Sequence, residues 1–132
     1  KQITSTKKLL RYLIKKYKIN QNNVLGHSDI APDRKKDPGE KFPWRKLANK
    51  NLCKWHNLSS VKMKKNRNIK VSLFEKKIFF RNLKKIGYSK ISKIKYNSYE
   101  INLVKAFQRK FRQNLINGKI DQECLLISKN LL

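Results

Sequence analysis

The feature that most constrains the fold is the segment VLGHSDIAPDRKKDPGEKFPW, residues 24–44, which contains all three prolines of the chain and two of its four glycines. Proline fixes φ and has no backbone N–H, so this segment cannot continue a helix or a central strand. We predict a short buried strand over NVLGHSDIA that runs into an irregular loop. A helix then begins near Trp44, with Pro43 in its first turn, and continues to His56.

Apolar residues at helical spacing predict helices on both sides of this loop. In the helix predicted for residues 5–18, one face carries Leu9, Leu10, Leu13, Ile14 and Tyr17. Residues 59–72 are highly charged and have no amphipathic period, so we interpret them as a linker.

Three helices follow, from Leu73 to Ile86, from Ser98 onward and from Asp121 onward, with GYSKISKIKYN as a connection. Their apolar stripes include Phe74, Ile78, Phe79, Leu83, Phe107 and Phe111. We therefore predict a small three-helix bundle in the second half.

The formal net charge of +26 favours contact with anionic polymers, and a basic nucleic-acid-binding protein is one alternative. Lys greatly outnumbers Arg, however, and Arg is the residue suited to bidentate recognition of guanine and phosphate. The helix that begins at Ser98 has its aromatic residues at core spacing, not polar side chains for base edges. We therefore expect no nucleic-acid partner. No apolar run approaches the length of a membrane span, so we expect no transmembrane segment.

The loop contains a possible metal site. Imidazole and carboxylate are ordinary zinc ligands, and His27 precedes Asp37 by ten residues. Pro32 lies in this interval and Pro38, Gly39 and Pro43 lie just beyond it, so the chain can fold back and bring the two side chains together. Lys35 is two residues before Asp37, and in an extended segment the two side chains point the same way. A Lewis acid and a cation placed where negative charge develops are what metal-assisted hydrolysis needs. On these residues alone, a purely structural loop remains the alternative.

The string GHSDIAPDRKKDPGEKFPW resembles the signature loop of the zinc-dependent N-acetylmuramoyl-L-alanine amidases of the AmpD-like, type 2 amidase family. The family pattern is close to G-H-S-D-I-A-P-G-R-K-x-D-P-G followed by an aromatic residue and Trp, and the likeness runs from Gly26 to Trp44. The resemblance implies that His27 and Asp37 bind Zn²⁺. It also implies that Lys35 is catalytic in hydrolysis of the amide between N-acetylmuramic acid and L-alanine in peptidoglycan. Asp33 departs from the pattern, which usually has Gly there.

The second half has a resemblance of its own. NLVKAFQRKFRQNLINGKIDQECLLISKNLL is similar to the end of a three-helix peptidoglycan-binding domain, in which A-V-x-x-F-Q precedes a Gly turn and a short last helix. Together the two resemblances predict an α/β amidase fragment, the C-terminal third of that fold, over residues 1–58. A linker over 59–72 and an all-α peptidoglycan-binding domain over 73–132 follow. We expect a monomer whose partners are peptidoglycan or muropeptides, in the periplasm or cell envelope, with the cytoplasm as the alternative.

In the family, a further zinc-binding histidine and a catalytic glutamate precede the signature loop, and neither is found in this sequence. The chain begins with Lys1, so we expect it to be the last part of a longer amidase. A non-catalytic peptidoglycan-binding remnant is the main alternative. Outside the loop, we expect His56 on the surface. Cys53 and Cys124 form no CxxC motif, and a single disulfide between them is possible.

Overall fold

The structure is a computed structural model that describes residues 2–88 and 98–132. These two stretches form seven α-helices and one 3₁₀ turn at Gln21–Asn23, and they contain no β-strand. The helices are α1 (Gln2–Tyr17), α2 (His27–Ile30), α3 (Trp44–Ala48), α4 (Ser60–Asn66), α5 (Leu73–Ile86), α6 (Ser98–Phe111) and α7 (Gln122–Asn130). None of these helices is long and apolar enough to cross a membrane.

The predicted α/β character of the first part is wrong for the described residues. The 3₁₀ turn and α2 occupy the place of the strand predicted over NVLGHSDIA. The side chain of Asn20 accepts a hydrogen bond from the backbone N–H of Asn22 at 2.9 Å, which starts the turn. A strand needs a neighbouring strand to pair its backbone groups. The described stretches offer only one isolated β-bridge, between Lys70 and Asp121.

The helix predicted for residues 5–18 is confirmed as α1, but only part of its predicted inward face is buried. The first hydrophobic core consists of Trp44, Leu47, Leu52 and Cys53. Leu10 and Ile14 pack against this core, whereas the side chains of Leu9 and Tyr17 are largely exposed. The core therefore rests on one narrow stripe of α1.

Helix α3 is shorter than predicted, because it ends at Ala48 and not near His56. Asn51 takes a positive φ of 56°, and the backbone N–H of Leu52 returns to the carbonyl of Leu47 at 3.1 Å. Asn tolerates this left-handed conformation better than most residues, so the chain turns there. The turn still brings Leu52 and Cys53 into the first core.

The helices predicted in the second half are confirmed as α5, α6 and α7, and they enclose a second core. Its members include Phe79, Leu83, Leu103, Val104, Phe107, Phe111, Leu125 and Ile127. Ser72 and Glu75 form a capping box at the start of α5, and Asp121 caps α7 through the N–H of Cys124. The prediction for Phe74 is wrong, since this side chain is 70% exposed.

Residues 59–72, predicted as a linker, contain α4, which packs against α7. Ser59 caps α4, and Arg67 just after it makes two hydrogen bonds to the carboxylate of Glu123, at 2.7 and 2.8 Å. Glu123 is fully buried, so the segment is anchored by a charge pair. The division into an amidase part and a wall-binding domain stays a prediction. Most of the predicted connection GYSKISKIKYN, residues 89–97, lies outside the described residues.

Candidate functional site

Helix α2 holds the first residue of the predicted metal pair at its beginning. The N–H of Gly26 donates to the carboxylate of Asp29 at 2.9 Å, and the N–H of Ser28 donates to the carbonyl of Asp37 at 2.9 Å. A Cβ at position 26 would lie 2.5 Å from the ring of Pro38, so this close approach requires glycine. The backbone thus returns from Asp37 to α2, as the prolines in the loop led us to expect.

The structure brings His27 and Asp37 together. Nδ1 of His27 lies 2.8 Å from Oδ2 of Asp37, and both side chains are about three-fifths exposed, at 62% and 61%. The hydrogen bond from His27 is the main cause that lowers the pKa of Asp37, against a smaller opposing effect of desolvation. Asp37 is therefore ionised at neutral pH, beside an imidazole, on an open surface.

Lys35 is exposed and lies close enough to influence this pair. Its backbone N–H donates to the carbonyl of Ala31 at 2.9 Å, which fixes its position after α2. Its charge is one of the smaller causes that lower the pKa of Asp37. The ammonium group therefore lies within electrostatic range of Asp37.

Asp29 is the residue that fastens the loop to the rest of the molecule. Its buried carboxylate accepts hydrogen bonds from Nζ of Lys110 at 3.1 Å and from the hydroxyl of Tyr88 at 2.9 Å. Nζ of Lys110 also donates to the carbonyl of Val24 at 3.1 Å. Sequence analysis missed Lys110 and Tyr88, because one lysine among many and a tyrosine after a helix carry no signal for such a contact.

Lys110 also lies over the ring of Trp44, with Nζ 4.6 Å from the ring centroid. Both ions of the pair with Asp29 are almost fully buried, at 5% and 3% side-chain exposure. A buried pair of this kind is stabilising only while both partners are present. The loop that carries His27 and Asp37 therefore depends on α6.

The remaining histidine and the two cysteines lie away from the pair. His56 was predicted on the surface, but it is buried, with Nε2 3.4 Å from the carbonyl oxygen of Phe111. Burial lowers its pKa, so it is neutral at pH 7. Cys53 and Cys124 are free and buried, and burial raises their pKa values to about 11 and about 12. They are poor candidates for metal-binding thiolates.

The described residues contain no group of three or more His, Cys, Asp and Glu side chains that could hold a metal ion. The pair of His27 and Asp37 offers one nitrogen and one carboxylate, which are suitable donors for zinc. A structural zinc site has four protein ligands, and a catalytic one usually has three. The pair therefore fits part of a zinc site, and further ligands would have to come from outside the described residues.

Comparison with known proteins gives matches over two different lengths. Residues 1–40 match the Amidase_2 family, described as N-acetylmuramoyl-L-alanine amidase. The N-acetylmuramoyl-L-alanine amidase AmiD of Escherichia coli is 31% identical over 131 residues, which are 99% of this chain and 47% of that protein. The 1,6-anhydro-N-acetylmuramyl-L-alanine amidase AmpD of Enterobacter cloacae is 53% identical over 35 residues, which are 26% of this chain and 19% of that protein.

Solved structures also resemble this chain over nearly its whole length. AmiD from E. coli, in complex with its substrate anhydro-N-acetylmuramic acid-L-Ala-D-gamma-Glu-L-Lys, superposes with a TM-score of 0.80 at 31% identity and covers 99% of this chain and 51% of that chain. AmpDh3 from Pseudomonas aeruginosa superposes with a TM-score of 0.80 at 29% identity and covers 98% of this chain and 51% of that chain. These three alignments include nearly the whole of this chain, but the chain spans only about half the length of each relative.

Proposed function

Because this chain is homologous over nearly its whole length to N-acetylmuramoyl-L-alanine amidases, we propose that it carries part of a zinc-dependent amidase site. The reaction would be hydrolysis of the amide between N-acetylmuramic acid and L-alanine in peptidoglycan. The observation that supports this proposal best is the exposed pair of His27 and Asp37, 2.8 Å apart, on the loop that matches the family.

In this proposal His27 and Asp37 supply two ligands of the zinc ion. Zinc at such a site polarises a carbonyl oxygen and lowers the pKa of a bound water. Asp37 is suited to this role, because its carboxylate is ionised at neutral pH and the hydrogen bond from His27 lowers its pKa further. His27 approaches Asp37 through Nδ1, so exchanging this hydrogen bond for a shared metal requires only a small movement of two exposed side chains.

Lys35 would act on the substrate and not on the metal. Its exposed ammonium group lies near the pair, so it is suited to stabilise the negative charge that develops on the carbonyl oxygen of the amide during attack. It needs no proton transfer for this role. We propose muropeptides that carry a peptide such as L-Ala-D-γ-Glu-L-Lys as the substrate class, as in the substrate of E. coli AmiD.

The test is to incubate the chain with an anhydromuramoyl peptide and Zn²⁺ and to measure the release of free peptide by mass spectrometry. Amidase activity of the chain requires that this release depend on zinc, and Lys35→Ala should then lower its rate by about a hundredfold with no loss of zinc, since one charge-stabilising donor contributes about this much elsewhere. Lys36→Ala is the matched control, because it removes the adjacent exposed charge. No release by the wild-type chain would reject amidase activity for it.

A second candidate function is binding of peptidoglycan without catalysis. It is favoured by the complete second core of α5, α6 and α7, which contrasts with a metal pair of only two ligands among the described residues. Co-sedimentation with purified cell-wall sacculi, combined with the hydrolysis assay, distinguishes peptidoglycan binding from catalysis. Sedimentation without hydrolysis would favour this second function. For both functions we propose a monomer in the cell envelope, where the polymer is found.

A further inference from the structure

A pocket opens on the same loop, and its lining includes residues on both sides of Asp37 in the sequence. It has a volume of about 400 Å³ and is lined by Lys36, Gly39, Glu40, Lys41 and Arg109. We call it the Arg109 pocket. Four of these residues come from the signature loop, and Arg109 comes from α6. The lining thus includes Lys36, the residue just before the proposed zinc ligand, and carries three cationic side chains against one carboxylate.

Arg109 is the unusual member of this group, because it is largely buried and has no charge partner in the part of the chain that the structure describes. The residue is 8% exposed, and its Nε has no hydrogen-bond partner among the described residues. The other buried cations nearby on α6 and just after it are neutralised, Lys110 by Asp29 and Arg112 by Asp121 and Glu123. No carboxylate of the described stretches forms an ion pair with Arg109.

A cation that is largely removed from water is costly without an anion, and a planar guanidinium binds a carboxylate through two parallel hydrogen bonds. Lys36 and Lys41 are exposed at the same pocket and raise its positive potential. Glu40 is the one lining group suited to an ammonium ion. The pocket is therefore complementary to a ligand with a carboxylate and an amine a few bonds apart.

We propose that the Arg109 pocket binds a carboxylate of the peptide attached to muramic acid, and that Arg109 is a specificity-determining residue. The identity of the ligand rests on the proposed function. A peptide such as L-Ala-D-γ-Glu-L-Lys has a free α-carboxylate on its second residue and an amine on its third. With the muramoyl amide beside Asp37, the peptide would leave along the loop toward Lys36 and Arg109.

The probes are the tripeptide L-Ala-D-γ-Glu-L-Lys and the same peptide with the α-carboxylate of the second residue converted to an amide. Dissociation constants from NMR titration of the 132-residue chain measure the preference. We expect the wild type to bind the acid about tenfold more tightly than the amide, as one charge-assisted pair allows. Arg109→Met should bind both peptides equally, and Arg109→Lys should keep part of the preference.

Arg81→Met is the matched control, because Arg81 is an exposed arginine on α5 outside the pocket. Lys41→Met changes only the exposed rim, so it remains informative if Arg109→Met fails to fold, and it should lower the preference about twofold to threefold. Equal binding of acid and amide by the wild type, or an unchanged preference in Arg109→Met or in Lys41→Met, would overturn the proposal.

A competition experiment with inorganic phosphate tests whether the pocket is selective for the peptide. If phosphate displaces the tripeptide at equal concentration, the pocket is a general anion site, and the proposal of a peptide site fails. Because binding is measured without hydrolysis, the outcome is independent of amidase activity. A preference for the acid peptide without hydrolysis would support the Arg109 pocket as a carboxylate site and reject amidase activity for the chain. Hydrolysis of the anhydromuramoyl forms of the acid and amide peptides at equal rates, with equal affinities for the two tripeptides, would support the enzyme and reject the Arg109 pocket.

Discussion

His27 and Asp37 are the residues whose replacement tests the metal site most directly. We expect His27→Ala and Asp37→Ala each to lower the affinity of the chain for Zn²⁺ by more than about tenfold, because even residues that only orient a metal ligand contribute tenfold or more. Isothermal titration calorimetry with the ion alone measures this. The affinity of the wild type should itself be modest, since the described residues supply two ligands.

The chain offers a control for each of these two variants. His56→Gln replaces the other histidine, which is buried away from the pair, and Asp33→Ala removes an exposed carboxylate of the same loop. Both should bind Zn²⁺ as the wild type does. If either control loses as much affinity as His27→Ala, the zinc is held elsewhere and the assignment of the pair is wrong.

At the scale of secondary structure, the contact between α2 and α6 determines whether the loop keeps its shape. Lys110→Met leaves the buried carboxylate of Asp29 with two partners among the described residues, the hydroxyl of Tyr88 and the N–H of Gly26. We expect the free energy of unfolding to fall by about 3 kcal/mol, as when one member of a buried ion pair is removed. Tyr88→Phe removes one hydrogen bond and should lower it by about 1 to 2 kcal/mol.

Urea denaturation followed by circular dichroism measures both effects. Lys84→Met is the comparison, because Lys84 is an exposed lysine on α5 and its loss should change the free energy by less than about 0.5 kcal/mol. If Lys110→Met were no more destabilising than Lys84→Met, the pair with Asp29 would contribute nothing to the fold, and the loop would be held by its own hydrogen bonds.

The elements that sequence predicts well are those whose signals are local. Ser72 and Glu75 form the capping box that the start of α5 needs, and Asp121 caps α7, the helix predicted from this residue onward. The pairing of His27 with Asp37 is also predictable, because the prolines between and beside them restrict the chain. Burial by distant residues has no local signal. Asp29 and Lys110 are 81 residues apart, and the sequence around each residue carries no signal that predicts their contact.

The lack of a local signal for burial also explains the wrong predictions for His56 and Phe74. His56 was predicted on the surface, yet the ring of Trp55 stacks on it and its Nε2 lies 3.4 Å from the carbonyl oxygen of Phe111. Phe74 has the spacing of a core residue but lies in the first turn of α5, where the helix extends beyond the second core, and it is exposed. The predicted strand failed because apolar residues in a short run fit a turn and a helix as well as a strand.

At the scale of the whole molecule, a formal net charge of +26 makes stability sensitive to the few carboxylates. Burial opposes ionisation of Asp121, but hydrogen bonds from the N–H groups of Cys124 and Asn68 and the charge of Arg112 outweigh it and lower its pKa. Because this pKa is lower in the folded than in the unfolded state, ionised Asp121 stabilises the fold fully above about pH 5. Its contribution is lost as the pH falls through about 4 and below.

We therefore expect the free energy of unfolding to fall steeply between about pH 5 and pH 2, and Asp121→Asn to show a shallower fall over this window. The variant keeps a side chain able to cap α7, so the difference in slope reports the lost charge and not the lost cap. Urea denaturation at steps of pH measures it. Parallel curves for the two proteins would mean that Asp121 has the same pKa folded and unfolded. The acid sensitivity would then come from repulsion among the lysines, and added salt would remove it in both proteins alike.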